Sequence, residues 1–270
     1  MGDILRIPIL WIFHYLRLEK YNIDSFIEDL GEFENNMKIL AVGAHPDDIE
    51  LGCGGLLIKA VRQGHYVYMY TLTQGDASGN PEERIRELKQ SSKIIGARAL
   101  WIDNFEDTKL AVSSELINHI EFFINKSEAD FVITHSLSDI HHDHKAVAAS
   151  TIEAGRFVPN IISYEIPLTK DFKPQIYYDI SDVVDEKVEL INLFWSQQSK
   201  LYLKADAIKG LAQYRALQSR LNTSINFVEA FEVMKLCIDK EFKLSMTSHE
   251  QIPRNQVSKN GSVNKILEFL

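Results

Sequence analysis

The sequence predicts an α/β protein with a Rossmann-like, mostly parallel sheet and helices on both of its faces. Short, nearly continuous apolar segments alternate with helical segments in the first half of the chain, a pattern typical of parallel strands that are covered on both sides. Two clusters of histidine and aspartate directly follow two of these strands. Because open parallel sheets bind ligands beyond the carboxyl ends of their strands, we expect a metal site there.

The first predicted strand, residues 38–44, is apolar and leads into a histidine–aspartate loop and a glycine-rich turn. A helix over 56–64 follows and ends in a glycine, the residue that commonly terminates helices. The second strand covers residues 67–73. Pro81 suits the first turn of the next helix, which ends at Gly96.

The alternation continues with a short third strand at residues 99–102. Ser113 or Ser114 can cap a helix that runs to about Lys126 and has apolar residues at helical spacing. The fourth strand, residues 131–134, leads into the second histidine cluster. These elements together predict a parallel sheet with alternating helices.

The second half of the chain has a different pattern. Residues 161–166 and 175–180 alternate apolar and polar side chains, as half-exposed strands do. A long helix is predicted over 182–202. Further helical patterns are found at residues 206–220 and 228–237.

The composition is that of an ordinary soluble globular protein, with 45% apolar and 25% charged residues. The net charge of −9 is not offset by a basic block, so we expect no nucleic-acid partner. Only two cysteines are present, far apart in the sequence. They form no disulfide framework, which favours a cytoplasmic protein, and any metal must be held by histidine and carboxylate.

We predict three segments in the 270-residue chain: an N-terminal appendage at 1–36, a single domain at 37–246, and a polar, mobile tail at 247–270. The apolar run at 4–16 is too short to span a membrane, and no signal-peptide cleavage site follows it closely. An interfacial helix at a membrane surface, a contact in a homo-oligomer and a start site placed too far upstream stay open for the appendage.

The first cluster contains His45 and Asp48, which are ordinary zinc ligands, in a loop just past a strand. Asp47 lies between them, and a carboxylate beside a zinc-bound water can take its proton, since zinc lowers the pKa of that water to about 7. Adjacent aspartates otherwise repel each other, and a dication would explain them. The alternative is that both aspartates cap the following helix and His45 is an ordinary loop residue.

The second cluster, residues 141–144, contains three histidines and Asp143. A histidine from this cluster would complete the three protein ligands of a catalytic zinc site. Another could donate to an oxyanion or protonate a leaving amine, and Asp143 could orient one imidazole. The alternative is a solvated polar loop that precedes a helix.

The two clusters resemble motifs of the zinc-dependent N-acetylglucosaminyl deacetylases of the PIG-L/LmbE type. Residues 44–50 read A-H-P-D-D-I-E and match the first motif of the family, while residues 141–144 read H-H-D-H and match its H-x-D-H motif. Weaker similarities lie at 72–76 and 84–88. The resemblance extends from about residue 37 to residue 236.

The resemblance implies a role for each matching residue. One zinc ion per chain would be held by His45, Asp48 and His144. The implied catalytic residues are Asp47 as the general base, His141 as the acid and oxyanion partner, and Asp143 as the residue that tunes His141. Arg84 would contact the sugar or a substrate phosphate, with Arg86 as a nearby alternative.

The implied reaction is hydrolysis of the acetamido group of a small amino-sugar substrate, an N-acetylglucosamine or one of its conjugates, which releases acetate. The sequence leaves open whether His141 or protonated Asp47 is the acid. It also leaves open an amidase that acts on a non-sugar amide, a two-metal phosphoesterase and a catalytically silent sugar-binding homologue. Four aromatic residues could form a substrate rim, although core packing is favoured for them: Tyr164, Tyr177, Tyr178 and Trp195.

Overall fold

A computed structural model of the chain describes residues 36–219 and 225–237. The predicted tail and all but the last residue of the predicted appendage lie outside this part, so the three-segment division stays a prediction. The strands are β1 (Lys38–Gly43), β2 (Tyr66–Thr73), β3 (Ala99–Phe105), β4 (Phe131–His135), β5 (Asn160–Tyr164), β6 (Ile176–Asp179) and β7 (Val228–Leu236). The helices are α1 (Asp48–Arg62), α2 (Pro81–Ile95), α3 (Ser114–Ser127), α4 (His142–Ala154), α5 (Val184–Asn192) and α6 (Ala205–Ser219).

The strands form one seven-stranded sheet in the order β3-β2-β1-β4-β5-β7-β6. The first five strands in this order pair in parallel, and β7 runs antiparallel to both of its neighbours. From β1 the chain builds outward through β2 and β3, and it then returns to place β4 on the other side of β1. Ligands of such sheets bind at this point of reversal, and both histidine clusters follow the two strands that flank it. The predicted fold class is confirmed.

Two apolar clusters cover the two faces of the sheet, which explains the continuous apolar character of its strands. Ile39 and Ala41 of β1 belong to the cluster that contains residues of α1 and α5. Leu40 and Val42 belong to the cluster that contains residues of α3 and α4. Successive side chains of a strand point to opposite faces, so a strand buried on both sides is apolar at every position.

The helix predicted over 228–237 is wrong, because this segment forms strand β7. Its alanine, glutamate, methionine, lysine and leucine favour a helix locally. In the folded chain β7 lies between β5 and β6 and pairs with both of them. These ladders provide partners for its backbone on two sides, and tertiary pairing therefore outweighs local propensity.

The long helix predicted over 182–202 is also interrupted. Helix α5 ends at Asn192, and two short 3₁₀ turns follow at Trp195–Gln197 and Leu201–Leu203. The turn after α5 buries Phe194 completely. It also brings Ser196 to Glu87, which accepts hydrogen bonds from the serine N–H at 2.9 Å and from its hydroxyl at 2.6 Å.

Helix α1 begins earlier than predicted and contains a kink at Cys53, where the backbone is non-helical (φ −142°, ψ 18°). The kink separates a short N-terminal turn that starts at Asp48 from the longer remainder of the helix. In the part of the chain that the structure describes, no helix combines the length and the apolar character needed to cross a membrane.

Candidate metal centre

The loop after β1 places Asp47 in a strained backbone conformation, with φ 113° and ψ −23°. Non-glycine residues rarely adopt a positive φ, and such strain is often found at functional sites. Asp47 occupies the N-cap position of α1, but its side chain makes no capping hydrogen bond. The Asp48 carboxylate instead accepts the backbone N–H of His45 at 2.7 Å, which closes a tight turn. Helix capping therefore does not account for this cluster.

Three side-chain ligand atoms converge where this loop meets the N-terminal end of α4. His45 Nδ1 lies 3.2 Å from His144 Nε2 and 3.3 Å from Asp48 Oδ2, and His144 Nε2 lies 3.4 Å from Asp48 Oδ1. In a tetrahedral zinc site with bonds of about 2.0–2.1 Å, ligand atoms lie about 3.3 Å apart. The spacing of these ligand atoms therefore fits zinc, and all three residues are buried.

The ligand atoms of His45, Asp48 and His144 form a triangle of metal donors, here called the donor triangle. Carboxylates on the outer side of both imidazoles orient the rings so that His45 Nδ1 and His144 Nε2 point into it. His45 Nε2 lies 3.1 Å from Asp143 and 3.0 Å from Asp107, while His144 Nδ1 lies 3.2 Å from Asp139. Carboxylates that bind the far nitrogen of a metal-ligating histidine fix its tautomer and its ring orientation. In the neutral rings, protons on these outer nitrogens leave the lone pairs of His45 Nδ1 and His144 Nε2 for a cation, and a metal that binds there displaces any inner protons.

The charges around the donor triangle keep its carboxylate ionised. Burial raises the pKa of Asp48, but the positive charge of His144 and hydrogen bonding from His45 outweigh burial and hold this pKa well below its ordinary value. Burial lowers the pKa of His45, and its contacts with Asp107, Asp143 and Asp48 raise that pKa more strongly. The ionised carboxylates around the site therefore favour the binding of a positive charge.

Asp47 lies beside the donor triangle and next to the guanidinium of Arg84, with 3.3 Å between Asp47 Oδ2 and Nη2 of the arginine. Burial raises the pKa of Asp47 to about 6, although the positive charge of Arg84 opposes this shift. A carboxylate with a pKa near neutrality can both accept a proton and release it, which are the properties of a general base that later acts as an acid.

Arg84, predicted to contact substrate, is only 1% exposed. Its guanidinium donates hydrogen bonds to the Gly75 carbonyl at 2.9 Å, to the Ser78 hydroxyl at 2.6 Å and to the Pro46 carbonyl at 2.6 Å. These bonds tie the loop that carries Asp47 to the turn after β2. The structure therefore places Arg84 mainly against protein groups, and a contact with substrate stays a prediction.

His141 is the N-cap residue of α4, and its Nδ1 accepts the backbone N–H of Asp143 at 3.2 Å. In the neutral ring the proton must therefore be on Nε2, which makes that nitrogen a hydrogen-bond donor. Burial, followed by the charges of His144 and His45, lowers the pKa of His141 and favours this neutral form. The ring lies beside the donor triangle, with its centroid 5.0 Å from that of His45.

Asp143 is completely buried and accepts the backbone N–H groups of Thr108 at 2.8 Å and Leu110 at 3.0 Å. The imidazoles that it contacts directly are those of His45, at 3.1 Å, and His142, at 3.0 Å. Its influence on His141 is electrostatic, because its negative charge raises the pKa of that histidine. The buried positions of Asp143 and His144 argue against a solvated loop.

A cavity of about 310 Å³ opens onto this cluster. Its lining includes six of the seven predicted site residues: His45, Asp47, Asp48, Arg84, His141 and His144. The four aromatic residues considered for a substrate rim do not belong to the lining. Tyr164 is buried and donates a hydrogen bond to the Val42 carbonyl at 3.1 Å, and Tyr178 packs against the core, as favoured from the sequence.

Comparisons with known proteins show the family of this chain. Residues 40–155 match the family model described as PIG-L, GlcNAc-PI de-N-acetylase. Over 152 residues the chain is 33% identical to the uncharacterized deacetylase YaiS of Escherichia coli K12, an alignment that covers 53% of this chain and 82% of that protein. The chain belongs to the PIG-L family.

A further relative and a solved structure are also similar to this chain. The chain is 27% identical over 191 residues to the diacetylchitobiose deacetylase of Thermococcus kodakarensis, with 61% of this chain and 72% of that protein aligned. The crystal structure of the conserved protein TT1542 from Thermus thermophilus has the same fold, with a TM-score of 0.68, 24% identity, and coverage of 77% of this chain and 99% of that one. The predicted family and the predicted enzyme class, a hydrolytic N-deacetylase, are confirmed.

Three residues at the centre of this PIG-L family member were not found from its sequence: Asp107, His135 and Asp139. His135, the last residue of β4, is fully buried, and its Nε2 accepts the backbone N–H of Ala44 at 3.0 Å. Burial and the charge of His144 lower the pKa of His135 to about 4, so the ring is neutral. A histidine that ends an apolar strand was the available signal, whereas the two aspartates lie in loops without a distinguishing pattern.

Proposed function

We propose that this PIG-L family member is a zinc-dependent hydrolase that removes the N-acetyl group from an N-acetylglucosamine-type amino sugar or glycoconjugate. The convergence of His45, Asp48 and His144 beside Asp47, at the wall of a cavity, carries the proposal. The description of the family model and the name of the Thermococcus relative support an acetylated amino sugar as the substrate.

One zinc ion per chain would be held by His45 Nδ1, Asp48 and His144 Nε2, whose spacing fits it. When bound, zinc supplies Lewis-acid polarisation of the amide carbonyl and lowers the pKa of a neighbouring water to about 7. Two other groups of potential ligands are found in the described residues, but each shares His45 or His144 with this one. This sharing favours a single ion over a two-metal site.

Proton transfers are assigned to side chains beside this site. Asp47 takes a proton from the attacking water, since its pKa of about 6 leaves it ionised at neutral pH. The Nε2–H of His141 donates a hydrogen bond to the oxygen that becomes negative in the transition state. Asp47 then returns its proton to the leaving nitrogen, because the neutral form of His141 is a poorer acid than a protonated carboxyl group.

Arg84 positions Asp47 in this mechanism, since its hydrogen bonds hold the loop on which the base lies. Asp143 and Asp139 orient the two zinc-ligating imidazoles from behind. A cytoplasmic location, and a contact of residues 1–36 with a membrane surface or with a second copy, stay predictions.

Acetate release from purified, zinc-loaded protein tests the proposal, with methyl N-acetyl-β-glucosaminide and N-acetylated non-sugar amines as substrates. Replacing Asp47 by Asn should lower kcat by about 10²–10⁴-fold and leave the zinc content near one per chain. Asp206→Asn, at an exposed position of α6, is the matched control and should keep full activity.

Each alternative has its own result in this experiment. Turnover of the non-sugar amides alone would identify an amidase, and a metal content near two per chain would favour a phosphoesterase. Sugar binding without acetate release would identify a silent homologue. Full activity of the Asp47→Asn protein would remove Asp47 from the role of the base.

A further inference from the structure

The segment between α5 and α6 forms part of the cavity wall near the donor triangle. The two 3₁₀ turns of this segment place Lys200 and Tyr202 in the cavity lining. Gln197 Nε2 donates to the Ser78 carbonyl at 3.1 Å, and the N–H of Lys200 donates to the Gln197 carbonyl at 3.0 Å. Lys200 is thus held beside the turn that also contacts Arg84.

Lys200 differs from the other cationic groups of this cavity because no ion pair is found for it in the part of the chain that the structure describes. Arg84 is committed to carbonyls, a hydroxyl and Asp47, and the two zinc-ligating histidines face carboxylates. Within residues 36–219 and 225–237, no carboxylate lies close enough to Lys200 to form an ion pair; its ammonium lies 5.9 Å from the centroid of the Tyr202 ring. The charge of Lys200 nevertheless reaches the base, since it lowers the pKa of Asp47.

Hydrolysis of a neutral acetamido group does not require this ammonium. A partly buried lysine that lacks an ion pair among the described residues loses hydration, and an anionic oxygen group on a ligand would compensate this loss. Lysine binds phosphate or carboxylate as a compact positive charge. The cavity lining also contains apolar residues, Ile140, Ile166, Pro167 and Leu168. Its carboxylates are engaged within the protein: Asp107 and Asp139 face the outer nitrogens of His45 and His144, Asp48 faces their inner nitrogens, and Asp47 faces Arg84.

We infer that Lys200 is a specificity-determining residue that binds an anionic substituent, a phosphate or a carboxylate, carried by the acetylated amino sugar. The inference rests on the proposed function for the reaction, but it concerns a different part of the substrate. It predicts that the preferred substrates are negatively charged amino sugars rather than neutral oligosaccharides.

The test compares kcat/KM for acetate release from N-acetylglucosamine 1-phosphate, N-acetylmuramic acid and the neutral methyl N-acetylglucosaminide. We expect at least one anionic sugar to be preferred by about ten-fold or more, the value of a hydrogen bond to a charged group. Lys200→Met should lower this preference by a similar factor. Lys204→Met is the matched control, because Lys204 lies on the same segment, is exposed and does not line the cavity.

The anionic sugar that is preferred identifies phosphate or carboxylate as the group recognised. Equal kcat/KM values for charged and neutral sugars would overturn the inference, as would equal losses of preference in the Lys200→Met and Lys204→Met proteins. If no sugar releases acetate, the proposed function fails. Calorimetric binding of the same three sugars to the zinc-loaded protein then tests whether Lys200 binds the anionic group. Tighter binding of an anionic sugar that depends on Lys200 would support the inference, and equal binding would overturn it.

Discussion

Helix α1 meets buried charge on both sides of its kink, and the two regions neutralise that charge differently. Beyond the kink, the Glu229 carboxylate accepts the backbone N–H groups of Gly55 and Leu56, each at 2.8 Å. Lys187 donates to Glu229 at 2.6 Å and to the Leu51 carbonyl at 2.7 Å. Opposite charges and free backbone groups at the interrupted helix therefore satisfy one another within the protein.

Before the kink, Asp48 belongs to the donor triangle, where the groups that meet are all acceptors when the two imidazoles are neutral. The outer nitrogens of His45 and His144 face carboxylates, so lone pairs of both rings point towards the oxygens of Asp48. These three atoms, within 3.4 Å of one another, stabilise each other through a proton on a ring or through a shared cation, and a bound metal takes the place of the proton.

A buried charge in this protein can therefore either stabilise the fold or form part of a ligand site. A carboxylate and an ammonium that complete each other's hydrogen bonds hold the fold together, as Lys187 and Glu229 do across α1, α5 and β7. Acceptors that converge on one point indicate a ligand. Variants at these two sites should therefore behave differently.

The largest effect is expected from removal of a ligand of the donor triangle. His144→Ala should abolish stoichiometric zinc binding and lower kcat/KM by about a thousand-fold or more, since Lewis-acid stabilisation of the transition state is worth several kcal/mol. Zinc content by atomic absorption and acetate release measure the two effects. His119→Ala, which removes an exposed histidine paired with Asp103, is the control. Wild-type zinc content in the His144→Ala protein would contradict the ligand assignment.

Removal of one partner of the structural pair should affect stability. Lys187→Met leaves the buried Glu229 carboxylate uncompensated and should lower the free energy of unfolding by about 3–5 kcal/mol. Lys209→Met removes an exposed pair with Asp185 and should cost about 0–1 kcal/mol. Urea denaturation of the two variants measures the difference. Equal losses would show that burial of the Lys187–Glu229 pair has no special consequence.

A smaller effect is expected in the pH dependence of the wild-type enzyme. Burial raises the pKa of Asp47 to about 6, and only its ionised form can accept a proton. Activity should therefore be full above this pKa, and kcat/KM should fall about ten-fold per pH unit as the pH drops below it. A value of kcat/KM that does not change between about pH 5 and about pH 7 would contradict the role of Asp47 as the base.

Arg84→Gln tests whether the pKa of Asp47 sets this pH dependence. The guanidinium lowers the pKa of Asp47, so its loss should move the acid limb of kcat/KM to higher pH. Arg86→Gln, on an exposed position of the same helix, should leave the limb in place. A purely structural role of Arg84 would lower stability without moving the limb.

Much of the fold could be predicted because its signals are local. The apolar segments that became β1 to β4 and the proline and glycine at the ends of α2 depend on neighbouring residues in the sequence. Segment 228–237 was predicted incorrectly because its own residues favour a helix, whereas its two partner strands lie far away in the sequence. The roles of the motif residues stay predictions, although the structure brings them together.

Local sequence was enough to predict the fold class, the family, and the two strand ends at which histidine and aspartate occur, because periodicity and residue type depend on neighbouring positions. Folding was needed to bring His45 Nδ1 and His144 Nε2, which are 99 positions apart, to 3.2 Å from each other. Folding also places Asp107 and Asp139 beside the outer nitrogens of these rings. The physical reason is that ligand geometry, tautomers and pKa shifts depend on contacts between distant segments, which form only when the sheet assembles.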